Sequence, residues 1–173
     1  MAQASDALVN SLAQAFDEGR TVFLAGNGGS AAAASHFAQD LAKGTLENMY
    51  AARRFRIIAL TDNIGYITAL ANDEGYAHVF EHQMRAFAST GDVLVAVSGS
   101  GNSASIINAV NLAHERGMKV IGVTGFDGGK LRGMCDVPVH VPIDDMGVAE
   151  AVHGVIFHLA MARLREHVTK ANA

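Results

Sequence analysis

Tryptophan is absent from this 173-residue chain, cysteine occurs once and proline twice. The lone Cys135 rules out an intrachain disulfide and any metal cage built from several thiolates, which suits a reducing compartment. With only Pro138 and Pro142 and no low-complexity stretch, no linker is evident. A length within the roughly 100–200 residues usual for one domain predicts a single domain over 1–173 with one core. Long apolar runs are missing too: VFLAG and VLVAVSG fall far short of the roughly 20 residues that a bilayer-spanning helix needs. The first 20 residues mix Asp6, Asp17, Glu18 and Arg20 with short apolar groups, unlike the basic start, apolar centre and small-residue cleavage site of an export signal. A soluble, cytoplasmic protein is expected. Positive charge is not in excess, since the net charge is -4 at a pI near 6.0. That balance gives no global attraction to nucleic acid or anionic membranes, and neither is expected as a partner.

What the chain does have is apolar character, at 50% of residues, arranged in a regular alternation. Five short Val-, Ile- and Leu-rich runs at 21–25, 56–61, 92–98, 118–124 and 136–142 read as buried strands. Between them, 30–43, 64–71, 76–88 and 103–116 carry apolar residues three or four apart and read as helices. The fold class is therefore α/β, a doubly wound five-stranded parallel sheet flanked by helices in three layers. Helices at 3–18 and 146–167 flank this unit. Their apolar stripes, Leu8, Leu12 and Phe16 on one and Val148, Val152, Val155 and Leu159 on the other, predict cover by a second subunit.

Two loops rich in glycine and serine each follow a strand and open a helix, GNGGS at 26–30 and SGSGNS at 98–103. In such sheets ligands settle beyond the carboxyl ends of the strands, so both loops belong to one mouth. Gly26, Gly28 and Gly29 let backbone amides approach an anion, and Ser30 is placed to cap the helix and donate its hydroxyl. Ser98, Ser100 and Ser103 around Gly99 and Gly101 repeat that logic. Neither loop ends in the Gly-Lys-Ser/Thr of nucleoside-triphosphate loops, and GNGGS lacks the GxGxxG dinucleotide spacing. Glycine also serves plain tight turns, but two serine-bearing copies at one mouth favour phosphate.

His36 and Asp40 lie four apart in the helix after GNGGS, about 6 Å along one face, a spacing that suits one divalent ion. Histidine with carboxylate fits zinc, with nickel, cobalt or iron as substitutes; the alternative is a surface histidine beside a helix carboxylate. Glu150, His153 and His158 recur in the last helix as EAVHGVIFH. Residues eight apart in an ideal helix are separated by about 12 Å, so one ion meets Glu150 and His158 only through a distorted helix, two subunits, or Glu150 pairing with His153 instead. For Asp73 the plain reading is a helix cap. Arg53 and Arg54 are candidates to reach a phosphate, Lys130 reads as a solvated loop cation and Cys135 as a small buried residue. His78, His82, His114, His140 and His167 show no constellation and read as surface or packing residues.

From about residue 5 to 165 the sequence resembles the SIS (sugar isomerase) domains, and among them the phosphoheptose isomerases. The likeness rests on AGNGGSAAAASHFAQDL at 25–41, ANDEGY at 71–76, GDVLVAVSGSGNS at 91–103, GMKVIGVTGFDGGK at 117–130 and EAVHGVIFH at 150–158. It implies a homotetramer with shared sites that isomerises a sugar phosphate, most naturally sedoheptulose 7-phosphate to a heptose 7-phosphate, for surface-polysaccharide heptose. It implies a sugar-phosphate site of Asn27, Gly28, Gly29, Ser30, Asn72, Asp73, Ser98, Gly99, Ser100 and Ser103, with Asp40 and Glu150 also touching substrate. The same resemblance makes His36, Asp40, Glu150 and His158 the ligands of a zinc ion, with Asp40 as base, His158 as acid and His153 in reserve. This sequence departs from the family by having Gly99 for the usual Thr, Asp40 for Glu and Glu150 for Gln, and by largely lacking an additional amino-terminal helical segment. A non-catalytic phosphosugar-binding or replication-initiator scaffold, as some SIS relatives are, is the alternative; a lyase acting on sugar ethers is a third possibility.

Overall fold

The computed structural model describes residues 2–173. Five parallel strands form one sheet: β1 Thr21–Gly26, β2 Arg56–Ala59, β3 Val93–Ser98, β4 Lys119–Thr124 and β5 Val137–His140. Their spatial order is β2-β1-β3-β4-β5, with Leu24 opposite Ala59 on one side and Val95 on the other. Every residue of β1 and β3 is buried, because helices cover both faces and leave no side of these strands for polar residues. β2 and β5 are the edges and are only partly covered. An edge is where a strand tolerates proline, which explains Pro138 within β5.

The helices are α1 Ala2–Asp17, α2 Gly29–Gln39, α3 Ile64–Asp73, α4 Val79–Arg85, α5 Ala104–Glu115, α6 Gly129–Met134 and α7 Met146–Ala171. The sheet splits the expected single core in two. Leu8, Phe16, Phe37 and Phe157 pack with α1, α2 and α7 on one face, whereas Phe23, Phe80, Met84 and Ile106 pack with α4 and α5 on the other.

Several expectations need correction. The stripe Leu8, Leu12 and Phe16 does not await a second subunit: all three are buried, as α1 lies against α7 and β5 of its own chain. The α7 stripe does remain open, with Val148, Val155 and Leu159 at 48%, 57% and 57% exposure. The helix expected over 30–43 stays α-helical only to Gln39 and then widens into a π turn, Asp40–Gly44. The helix expected over 76–88 is a 3-10 turn, Tyr76–His78, followed by the short α4. α6 was not expected, since its six residues are too few to display a helical period. Arg53 and Arg54 make contacts within the chain, away from the two Gly/Ser loops. Arg53 lies 3.5 Å from Asp17 and over the Phe16 ring, and Arg54 donates to the Met49 carbonyl.

β1 is the strand at which the winding reverses, with β2 to one side and β3 to the other. Loops leaving β1 and β3 at their carboxyl ends therefore diverge around a crevice, the usual ligand position in this architecture. Among the described residues no helix is long and apolar enough to cross a membrane.

Candidate functional site

The crevice is formed by the two Gly/Ser loops. Gly28, at φ 54°, occupies the cap position of α2, so Ser30 is the helix's second residue and not its cap. Gly28 has no side chain to cap with, and the first amide groups of a helix have no intrahelical acceptor. Ser103 precedes α5 and likewise makes no capping bond; its hydroxyl lies 3.4 Å from that of Ser98. α3 and α7 differ, because Asn63 accepts from the Tyr66 amide at 3.1 Å and Asp145 from the Val148 amide at 2.9 Å. The amino ends of α2 and α5 thus present free amides and partial positive charge to one cavity, an arrangement suited to phosphate.

That cavity measures about 300 Å³ and is lined by Asn27, Gly28, Gly29, Ser30, Ser98, Gly99, Ser100 and Ser103, with Met146 and Glu150 of α7 closing it. Asn27 braces it, donating to the Ser105 hydroxyl at 2.9 Å and accepting from the Tyr76 hydroxyl at 2.8 Å. The Gly125 amide holds the second loop through the Gly99 carbonyl at 2.8 Å. Gly101, at φ 66°, must be glycine, because a Cβ there would run into the Gly128 carbonyl. A Cβ at Gly99 would meet the Met146 thioether, and one at Gly29 would meet the Glu150 carboxylate. Sequence reasoning missed Tyr76, Ser105 and Met146. The Tyr closing ANDEGY and the second hydroxyl of SAS were available signals, while Met146 was not recognisable without the fold.

Asn72 and Asp73 are not brought to this cavity. They end α3, exposed, and the Asn72 amide donates to Asp73 at 2.7 Å. Asp73 is also not the cap expected for the following turn, a position held by Gly75.

A second cluster forms where α2 crosses α7. The rings of Phe37 and Phe157 stack at 4.3 Å with 6° between their planes, and both are buried. Each is the sequence neighbour of a histidine, so this stack fixes the register that brings His36 and His158 together. Asp40 lies beneath them, with its oxygens 3.7 Å from His36 Nε2 and 3.2 Å from His158 Nδ1. The carboxylate is buried at 8% exposure, whereas more than half of each imidazole surface is open. A pit of about 20 Å³ adjoins the three side chains, room for one ion or water. Tetrahedral donors about 2.1 Å from one zinc lie about 3.4 Å apart, so two imidazoles and a carboxylate at these separations fit a divalent ion.

Glu150 does not join this trio, whose donor atoms all lie within 4.8 Å of one another. α7 runs without interruption from Met146 to Ala171, which removes helix distortion as a way to bring Glu150 and His158 to one point. His153 faces inward instead, fully buried, donating from Nε2 to the Thr124 carbonyl at 3.1 Å. Burial holds its pKa below the ordinary histidine value of 6.5, against the smaller opposing effect of that hydrogen bond. His140 reaches the Thr124 hydroxyl at 3.0 Å and His167 reaches Asp17 at 2.9 Å. His78 and His82, expected to be isolated, form a group with Glu81.

The SIS domain model matches residues 1–125. A phosphoheptose isomerase of Aliarcobacter butzleri is 43% identical over 142 residues, 81% of this chain and 72% of the relative. This chain belongs to the SIS domain family, in its phosphoheptose isomerase branch. Among solved SIS structures, a phosphoheptose isomerase from Neisseria gonorrhoeae superposes with a TM-score of 0.86 at 36% identity, covering 94% of this chain and 85% of the other. One from Francisella tularensis gives 0.86 at 31% identity, covering 95% and 86%.

Proposed function

We propose that the protein is a metal-dependent aldose-ketose isomerase that converts sedoheptulose 7-phosphate to a heptose 7-phosphate. The observation that carries this reading is the pairing of two uncapped, serine-bordered helix ends with a His-Asp-His trio in a chain of this branch. Membership makes it a sugar-phosphate isomerase; the particular heptulose, the zinc and the residue roles are our assignment.

Phosphate would sit between the amino ends of α2 and α5, held by the Gly29 and Ser30 amides and the Ser98, Ser100 and Ser103 hydroxyls. Asn27 keeps the two loops at a fixed separation through Ser105 and Tyr76. His36, Asp40 and His158 would hold a zinc ion, which supplies polarisation of a substrate oxygen. The Asp40 carboxylate removes the proton beside the carbonyl and the His158 imidazole returns one to the neighbouring carbon or oxygen. Asp40 is positioned for this by burial and by its contact with His158 Nδ1. Glu150 already closes the mouth from its own chain, and the exposed Asn72–Asp73 pair would complete the site of a neighbouring subunit in a homotetramer, with the open α7 stripe supplying contact area between copies.

The test is turnover by zinc-loaded protein, following aldose phosphate formed from sedoheptulose 7-phosphate by NMR. Catalysis in the wild type and its loss in both Asp40→Ala and His158→Ala support the assignment. Retained turnover in both variants overturns the roles, and no turnover with any ketose phosphate, despite phosphate binding, favours the non-catalytic alternative.

A further inference from the structure

We propose that His78, Glu81 and His82 form a second divalent-metal site on the face of the sheet opposite the His36 trio. Their donor atoms lie within 4.8 Å of one another. His78 Nδ1 is 3.4 Å from Glu81 Oε1 and His82 Nε2 is 3.9 Å from the same oxygen. The first separation already equals the roughly 3.4 Å expected between two ligands of one tetrahedral zinc, and the second needs to close by about half an ångström.

Three observations favour a metal ion over a histidine beside a carboxylate. Donors from i, i+3 and i+4 share one helix face, so the 3-10 turn and the first turn of α4 present all three together. His78 Nδ1 is buried and, although near Glu81, lacks the geometry of a hydrogen bond and has no partner among the described residues. Glu81 is largely buried, at 14% side-chain exposure, and a carboxylate so placed calls for a cation. Arg85 partly meets that need from 3.6 Å and is the competitor that an ion must displace.

Two imidazoles with one carboxylate select zinc, nickel or copper(II) over magnesium or calcium. The three protein ligands leave coordination positions open to water. An ion here ties the 3-10 turn to α4. It thereby restrains Tyr76, two residues before His78, whose hydroxyl reaches Asn27 in the first loop. The proposal does not rest on the activity proposed for the protein, and its ligands are not those of the His36 trio.

The test uses full-length, chelator-stripped protein carrying His36→Ala and His158→Ala, titrated with zinc by calorimetry. One ion per chain is expected; no binding overturns the proposal. Adding His82→Gln should weaken zinc by at least about tenfold, with circular dichroism confirming the fold, and unchanged affinity overturns the assignment. Arg85→Met, in the same background, should tighten zinc by removing the competing cation, and weaker binding contradicts Arg85 as competitor. Cobalt should give visible bands that His82→Gln alters, whereas identical spectra place the ion elsewhere.

Discussion

The mouth between the two Gly/Ser loops and the His36–Asp40–His158 trio are built by different means. The mouth uses backbone, with glycines and helix starts whose geometry follows from β1 and β3, and the side chains of Ser98 and Ser103 are additions to it. The trio uses side chains alone, brought together by two helices far apart in sequence and aligned by a single aromatic stack. The first depends on its glycines and loses only part of its binding when a serine hydroxyl is removed, whereas the second has nothing left if any of its three side chains goes. Anion binding and ion binding should therefore fail separately.

The sharpest way to break the comparison is Asp40→Ala, or separately His158→Ala. Each should lower kcat by about 10²–10⁴ while phosphate affinity, read by inhibition with inorganic phosphate, stays near wild type. A parallel loss of phosphate binding would show the two regions to be one unit. Next in size is Phe157→Ala, which removes a buried ring and its stack. It should cost about 3–5 kcal/mol in denaturant unfolding and also weaken zinc, although Phe157 offers no ligand. Ser98→Ala acts on the other side, raising KM for the sugar phosphate with a loss of about 1–2 kcal/mol and leaving zinc stoichiometry unchanged.

Smaller effects sharpen the contrast. His153 is held neutral by burial, so its folded pKa lies below 6.5 and the unfolded chain takes up the proton first. Its contribution to stability is thus complete above about pH 6.5 and fades as pH falls below that value. His153→Gln should flatten the acid side of the melting temperature against pH, which thermal melts between pH 7 and 5 would reveal. Gly99→Thr should have the least effect on stability, under about 1 kcal/mol, because the atom that its Cβ meets is the mobile end of Met146 at 42% exposure. Its added hydroxyl should tighten phosphate, measured as a lower inhibition constant.

How much of this was legible in the sequence follows from the same division. The strands and both loops could be read because buried parallel strands are continuous apolar runs and glycine marks the turns between strand and helix. His36 and Asp40 were legible as a pair because i, i+4 spacing is local. That His158 joins their group was legible only through the family resemblance, and that Glu150 stays at the mouth was not legible at all, since both depend on where α7 crosses α2. The burial of Leu8, Leu12 and Phe16 within the chain was misread for a related reason: an apolar stripe shows that cover is needed but not which element supplies it. His78 and His82 were dismissed individually, although with Glu81 they occupy one helical turn, because no motif drew attention to that spacing.

The Phe37–Phe157 stack has a thermal consequence. Two neutral rings in face contact set how far α7 sits along α2, and loosening them is expected to part His158 from Asp40 while the helices themselves persist. Metal affinity then becomes a thermometer for that seam. On gentle heating, zinc should be released while far-ultraviolet helicity is still intact, and the interval between the two events measures how rigidly the two rings hold the helices in step.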